Sequence, residues 1–229
     1  VNHAAIDETT RFILRGQPLF RKVSEAALGF LGQGCEQIHA PKGEILCHKG
    51  EPAPGLFCVL SGKVKLAVLS AEGNERVLEI VQVGGMFGAA LMFLDQPCPL
   101  LAQTLEDSRL MRIGREHIEA ALVRFPDLAL ALLGGMSIRL QSLVRDVEAC
   151  CLESAQQRVR NYLLAMAIPV DYNRGRLDLP ASKAVVASSL NLTPETFSRE
   201  LHRLVEASVI RVERRCIWID DLGALRSRR

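Results

Sequence analysis

The sequence predicts an α+β chain: an antiparallel β domain first, a long helix in the middle and a winged helix-turn-helix last. Three observations lead there. From Cys35 to about Ile113, short β-rich runs are divided by glycines, the pattern of an antiparallel sandwich or barrel. From Asp127 to about Cys151, apolar residues recur at alternating spacings of four and three, a heptad seam. From Pro180 to Ile219, two short helical segments around a tight turn lead into two β-rich segments. The implied domains are residues 1–126, 127–151 and 152–229.

In chain order, Ile6–Leu14 and Ser24–Leu31 read as short helices, the second opening on a serine cap. The runs Glu44–His48, Leu56–Leu60, Lys63–Leu69 and Arg76–Val83 follow as strands, separated by Gly43, Gly50, Gly55, Gly62, Gly73 and Gly84-Gly85. Arg115–Phe125 is helical. Pro126 then opens the long segment in which Ala129, Leu133, Met136, Leu140, Leu143, Val147 and Cys150 form the seam. Arg139, Gln141, Arg145, Asp146 and Glu148 keep its other faces polar, so Leu133, Met136, Leu140, Leu143 and Val147 are expected to pair two chains. The same stripe also fits a single amphipathic helix lying on its own domain. Gly134-Gly135 inside it weakens the helix, and close packing or a flexible point would account for the pair. Glu153–Ala167 is the next helix, with Val159, Leu163 and Met166 inward. The loop Ile168–Gly175 leads to a strand at Arg176–Leu179.

Ser182–Leu190 and Thr193–Leu204 are the two short helices of the last domain. Thr193 suits an N-cap, Pro194 the first helical position, and Glu195 places negative charge at the helix N-terminus. Phe197, Leu201 and Leu204 give a buried face, leaving Glu195, Ser198, Arg199, His202 and Arg203 outward. A carboxylate there can accept from a cytosine amino group, a guanidinium one turn later can donate to guanine, and a serine between them can meet a base edge. Glu195, Ser198 and Arg199 have that spacing and are the expected base readers. Glu195 and Arg199 are also four apart, the spacing of an ordinary surface ion pair. Lys183, Thr193, Thr196, Arg203, Arg214 and Arg215 are expected beside the phosphate backbone. Val209–Val212 and Cys216–Ile219 form the wing.

Composition narrows the function classes. With 229 residues, 48% hydrophobic and 24% charged, the chain can bury a core and has no apolar run of bilayer length. It lacks a signal-peptide start, so cytoplasm is the expected compartment and no membrane partner is expected. Residues 1–151 hold 15 Lys/Arg against 17 Asp/Glu, and residues 152–229 hold 13 against 9. A front at −2 and a back at +4 suit a sensor joined to a polyanion-binding module, and ordinary fluctuation also produces such a split. The seven cysteines, at 35, 47, 58, 98, 150, 151 and 216, form no Cys-x-x-Cys pair. No Ser/His/Asp set, metal-ligand spacing or Gly-x4-Gly-Lys loop is present, so an enzyme is not expected.

Lys42-Gly43-Glu44, Gly50-Glu51, Leu60-Ser61-Gly62-Lys63-Val64-Lys65, Glu72-Gly73, Gly84-Gly85-Met86-Phe87-Gly88 and above all Glu195-Thr196-Phe197-Ser198-Arg199 resemble the Crp/Fnr superfamily of bacterial transcription regulators. The resemblance spans about residues 18–222. Met92-Phe93-Leu94-Asp95-Gln96-Pro97, Leu128–Leu133 and Pro194–Arg199 are most similar to its nitrogen-oxide-responsive DNR/NNR branch. It implies a cyclic-nucleotide-binding-like β-roll, a dimerisation helix and a winged helix-turn-helix, with double-stranded DNA, a second copy and RNA polymerase as partners. The Glu-x-x-Ser-Arg pattern is of the Fnr type and implies a palindrome of TTGAT half-sites.

The resemblance also bears on the effector. Cyclic-nucleotide members hold the phosphate with a Gly-Glu pair and a following Arg-Ser. Here Ala89 follows Gly88 and Pro99-Leu100 stands where Arg-Ser would. A buried phosphate without its arginine is costly, so cyclic AMP is not expected. Iron–sulfur members carry an N-terminal cysteine cluster, and residues 1–34 contain no cysteine. Met86, Phe87, Gly88, Leu91, Met92, Leu100 and Leu101 make the expected effector pocket, which is apolar. The branch resemblance implies haem reporting nitric oxide, with His39, His48, His117, Cys47 and Cys98 as available axial ligands. Cys150-Cys151 reads either as seam packing or as a redox reporter. A redox or haem-binding sensor without specific DNA binding is the alternative reading of the whole chain.

Overall fold

The computed structural model describes residues 8–52, 55–70, 74–93 and 96–226. Ile6, Glu72-Gly73 and Leu94-Asp95, named above, lie outside these residues, and of Leu91 only the backbone is described. The chain divides into two compact units, with the change falling inside the long helix between Ser142 and Leu143. Arg76–Leu78 group with the second unit.

The first unit opens with α1 (Glu8–Gly16), a 3₁₀ turn at Pro18–Phe20 and α2 (Glu25–Gln33). Ser24 caps α2, its hydroxyl accepting from the Ala27 amide, as its sequence predicts. Strands β1 (Cys35–Ala40), β2 (Ile45–Cys47), β3 (Leu56–Ser61), β4 (Val64–Leu69), β5 (Glu75–Val81), β6 (Met86–Phe87), β7 (Leu101–Thr104) and β8 (Ser108–Ile113) follow, with the short helix α3 (Ala89–Met92) between β6 and β7. They form two antiparallel four-stranded sheets, β1-β8-β3-β6 and β2-β7-β4-β5.

Strand alternation gives each sheet its place. In β3, Leu56 and Cys58 point to one face and Phe57 and Val59 to the other, and all are buried. Leu56 and Cys58 join Leu14, Phe20, Leu28, Ile118 and Leu128 in a core between sheet and helices. Phe57 and Val59 join Val64, Phe87 and Leu110 in a second core between the sheets. Each such side chain contributes roughly 1.5–3 kcal/mol when fully buried. Gly55 and Gly88 close this part of the roll: both have positive φ, and a Cβ on Gly88 would strike the Gly55 carbonyl oxygen.

α4 (Arg115–Arg124) precedes the 27-residue α5 (Pro126–Leu152). α5 opens on Pro126 and Asp127, whose carboxylate accepts from the Ser24 amide at 2.6 Å. At Gly135 a Cβ would press on the Cδ1 end of the Leu19 side chain in the 3₁₀ turn, which would have to shift. Gly134 has open space. One sequence expectation is corrected here. By length and composition α5 is long and apolar enough to cross a bilayer. Counting uninterrupted apolar runs missed it, since Asp127 and Arg139 break the run without making the segment polar.

In the second unit, α6 (Ala155–Met166) begins with a capping box between Ser154 and Gln157. Then come β9 (Ile168–Pro169), β10 (Gly175–Asp178), α7 (Lys183–Ser189), α8 (Pro194–Glu206), β11 (Ile210–Glu213), β12 (Cys216–Ile219) and α9 (Leu222–Arg226). The sheet order is β11-β12-β10-β9. Val159, Leu163, Leu177, Val186, Phe197, Leu201, Ile210, Ile217 and Leu225 are buried in this unit.

Candidate nucleic-acid interface

The pair α7–α8 is set by its caps and by one left-handed residue. Ser182 caps α7, accepting from the Val185 amide at 3.4 Å. Asn191 carries the chain out of α7 at φ 56°, a conformation asparagine tolerates. The Arg158 guanidinium donates to the carbonyls of Leu190 and Asn191 at 2.8 and 3.0 Å, satisfying acceptors that the end of α7 leaves free. Thr193 then caps α8, accepting from the Thr196 amide at 3.2 Å, with Pro194 in the first turn.

Helix α8 buries Phe197, Leu201 and Leu204, and it also buries Glu200, 3% exposed. The opposite face presents Glu195, Ser198, Arg199 and His202 to solvent. The Glu195 carboxyl is held below the usual carboxylate range, first by its own backbone N–H and then by the Thr193 hydroxyl. It is therefore an acceptor at neutral pH. Glu195 and Arg199 do not pair among the described residues. Arg199 instead reaches the Glu200 carboxylate at 3.7 Å and donates to the Thr196 hydroxyl at 3.4 Å. Glu200 also takes both short hydrogen bonds of Arg203, at 3.0 and 3.2 Å. One buried carboxylate thus hydrogen-bonds the Arg203 guanidinium and lies within ion-pair distance of the Arg199 guanidinium.

The residues expected along the phosphate backbone differ in their surroundings. Lys183 is exposed at the first position of α7. Thr193 and Thr196 face each other, Oγ1 to Oγ1 at 3.1 Å, so their hydroxyls serve the helix cap. Arg203 is tied to Glu200. Arg214 and Arg215 form the two-residue tip between β11 and β12, Arg214 at φ 56°, and both are exposed. On the outer face of this sheet, Trp218 lies between Arg176 and Arg211, whose guanidinium carbons sit 5.3 and 6.0 Å from its ring centre.

The α5 residues expected to pair two chains are uncovered. Leu133, Leu140 and Val147 are 60%, 64% and 62% exposed, and Met136 and Leu143 are exposed as well. In the first unit, the residues of the expected effector pocket divide between the two cores. Met86 and Met92 pack between sheet and helices, and Phe87 and Leu100 between the sheets, with Phe87 stacked on Phe57 at 4.9 Å. Leu101 is buried on β7 and Gly88 sits at φ 97° before α3.

The five groups available to a haem iron have other surroundings. His117 stacks on the Phe30 ring at 4.5 Å and its Nε2 lies 2.6 Å from the Phe30 carbonyl oxygen. His39 and His48 are exposed. Burial pushes the Cys47 thiol up to about 12, with a hydrogen bond and the field of Cys98 adding to it. Cys98 is buried and its thiol donates to the Leu100 carbonyl at 3.3 Å. No cluster of three or more metal-ligating side chains occurs among the described residues.

Residues 37–125 match the cyclic nucleotide-binding domain model, and residues 157–228 match the Crp-like helix-turn-helix domain model. A CRP-like cAMP-activated global transcriptional regulator of Mycobacterium tuberculosis is 24% identical over 219 residues, covering 94% of this chain and 98% of that protein. The crystal structure of DNR from Pseudomonas aeruginosa is 34% identical, covers 94% of this chain and 95% of the other, and has a TM-score of 0.51. FixK2 from Bradyrhizobium japonicum shares the fold at TM-score 0.74, with 23% identity over 83% of this chain and 95% of that one. Fold, order of domains and a 34% identical relative over nearly the full length agree: the chain is a member of the Crp/Fnr family of transcriptional regulators.

Proposed function

We propose that this regulator binds a TTGAT-type palindrome as a parallel homodimer, each copy reading one half-site with Glu195, Ser198 and Arg199. The observation that carries the reading is the outward face of α8. It has an ionised carboxylate in the first turn, a serine one turn on, and an exposed guanidinium within ion-pair distance of a buried acid. Two such helices related by a two-fold along α5 lie about one DNA turn apart, roughly 34–36 Å. Lys183, Arg214 and Arg215 supply the sequence-independent phosphate contacts.

The signal enters through the first unit and works by favouring one dimer arrangement over another, since a ligand without that preference shifts nothing. Ala89 and Pro99-Leu100 argue against cyclic AMP in this chain. No iron ligand is assigned among the five candidates: Nε2 of His117 is taken up by the Phe30 carbonyl, His39 and His48 lie at the surface, Cys47 is held as a thiol and Cys98 donates its thiol proton to the Leu100 carbonyl. The expected pocket residues Met86, Phe87, Leu100 and Leu101 are apolar and suit an apolar effector, and no step of the mechanism is assigned to iron.

Titrating the full chain into labelled duplexes tests the DNA reading. Specific binding to a TTGAT palindrome should exceed binding to a scrambled duplex by roughly 10³-fold or more. Arg199→Ala should cost about 1–3 kcal/mol per half-site and relax preference at one base pair, whereas Lys183→Ala should lower the salt slope by about one while sparing preference. Equal affinity of the native chain for both duplexes would overturn the assignment.

A further inference from the structure

The seam of α5 ends on a cysteine. Its core positions run Leu133, Met136, Leu140, Leu143, Val147 and Cys150, at steps of three and four, so Cys150 occupies the last of them. In a parallel pair of helices, a residue at such a position faces its own copy. Helix axes about 8–10 Å apart, with Cα atoms about 2.3 Å off each axis, bring directly facing core Cα atoms to roughly 3.4–5.4 Å, which overlaps the disulfide range. A disulfide needs about 4.4–6.8 Å between Cα atoms. Cys151 lies about 100° further round the helix and points off the seam.

Accessibility separates these two thiols from the rest. Cys47, Cys58 and Cys98 are buried and Cys35 and Cys216 are half-buried, whereas Cys150 and Cys151 are exposed. Cys150 also has a partner in the DNA-reading unit. The Asn191 side-chain amide donates to its sulfur at 3.5 Å, and Asn191 is the left-handed residue between α7 and α8. The sulfur thus sits where the seam meets the helix-turn-helix.

We propose that Cys150 is a modification site at which peroxide joins the two chains of the dimer by a Cys150–Cys150 disulfide. This cross-link rests on the parallel dimer proposed above. One sulfur attacks a peroxide oxygen, breaking the O–O bond, and becomes a sulfenic acid with release of water. The partner's thiol sulfur then attacks that sulfenic sulfur, the S–S bond forms and a second water leaves. Two thiols lose two electrons and two protons, and hydrogen peroxide is reduced to two waters. The product fastens the ends of the two long helices and changes the sulfur to which Asn191 donates.

The full chain and its Cys150→Ser and Cys151→Ser variants would be treated with hydrogen peroxide, blocked with a maleimide and run on non-reducing gels, with the linked peptide identified by mass spectrometry. A reducible species at twice the 25.2 kDa chain mass is expected for the native chain and Cys151→Ser, and none for Cys150→Ser. Sedimentation of the reduced proteins is measured alongside. A two-chain particle that yields no covalent dimer, or yields it through Cys151, or forms a Cys150–Cys151 link within one chain, overturns the inference and leaves the dimer standing. A one-chain particle under all conditions overturns both.

Discussion

Glu200 is the residue on which the reading face of α8 depends most. A carboxylate 3% exposed must be paired, and this one holds Arg203 at 3.0 Å and Arg199 at 3.7 Å. Both guanidiniums are more than half exposed, so the pairs themselves add little to stability and their value is orientation. Glu200→Gln keeps the shape and removes the charge. It should lower specific affinity about three- to tenfold while leaving binding to scrambled DNA equal or stronger, because one negative charge is lost. Parallel titrations of both duplexes would show it, and an unchanged ratio would reject the positioning role. Much of this site is legible in the sequence, including the Thr193 cap, Pro194 and the exposed Glu195, Ser198 and Arg199. Glu200 is not picked out by composition, since an acid beside an arginine reads as a solvated pair. Its position carries the signal: 197, 200, 201 and 204 are the i, i+3, i+4, i+7 stripe of a buried face. Glu195 offers a pH test. Its folded pKa is depressed below the usual carboxylate range, so the ionised acceptor persists above that range and is lost only as pH falls through the depressed value. Discrimination by the native chain should hold from about pH 8 to about pH 5, and Glu195→Gln, mimicking the protonated form, should show the loss throughout.

Among the elements, the caps and the glycines were readable and the sheet pairing was not. Ser24 and Thr193 are read as caps from the sequence, and the structure adds Ser154 and Ser182, each fixed by an amide three residues on. The order β1-β8-β3-β6 joins residues from 28 (Cys58 and Met86) to 78 (Cys35 and Ile113) positions apart, which no short window of sequence contains. Helix α9 escaped notice for a related reason. Its start is held by Asp221, which accepts from the Ala224 amide at 2.8 Å, and by Asn173, far away in the chain, whose carbonyl takes the Leu222 amide. The glycine pair in α5 makes a separable prediction. A β-branched side chain at Gly135 would collide with Leu19, whereas Gly134 has open space. Gly135→Val should therefore destabilise the first unit by about 1–3 kcal/mol through overpacking. Gly134→Ala should raise stability by up to about 1 kcal/mol through helix propensity. Opposite shifts in thermal midpoint are the expected result, and a rise for both would remove the packing explanation of Gly135.

At the scale of the whole molecule, the largest unexplained expense is the apolar surface of α5. Leu130, Leu133, Ile138, Leu140, Val144, Val147 and Leu152 are each more than half exposed in the single chain. A contiguous apolar stripe of that kind marks an interaction surface. Two covers are chemically available: a second copy along the heptad seam, or the acyl region of a bilayer, which the length of α5 would suit. The placement of charge separates them. Arg139 pairs with Glu79 of β5 at 2.8 Å, and Arg145, Asp146 and Glu148 follow within the last turns, so the C-terminal half of the helix carries charge off the seam positions. A seam needs one apolar stripe with polar flanks, and a lipid-facing span needs an apolar surface all round. Leu140→Glu with Val147→Glu therefore discriminates cleanly, because both side chains are exposed in the monomer and their replacement leaves its two cores untouched. The native chain should sediment as two copies and the double variant as one. Specific affinity for the palindrome should fall at least tenfold while each half-site contact is retained, since one copy can no longer place its partner on the second half-site. Flotation with vesicles should recover neither protein. A double variant that still sediments as two copies and binds the palindrome as before would move the interface elsewhere and leave the stripe of α5 to another partner.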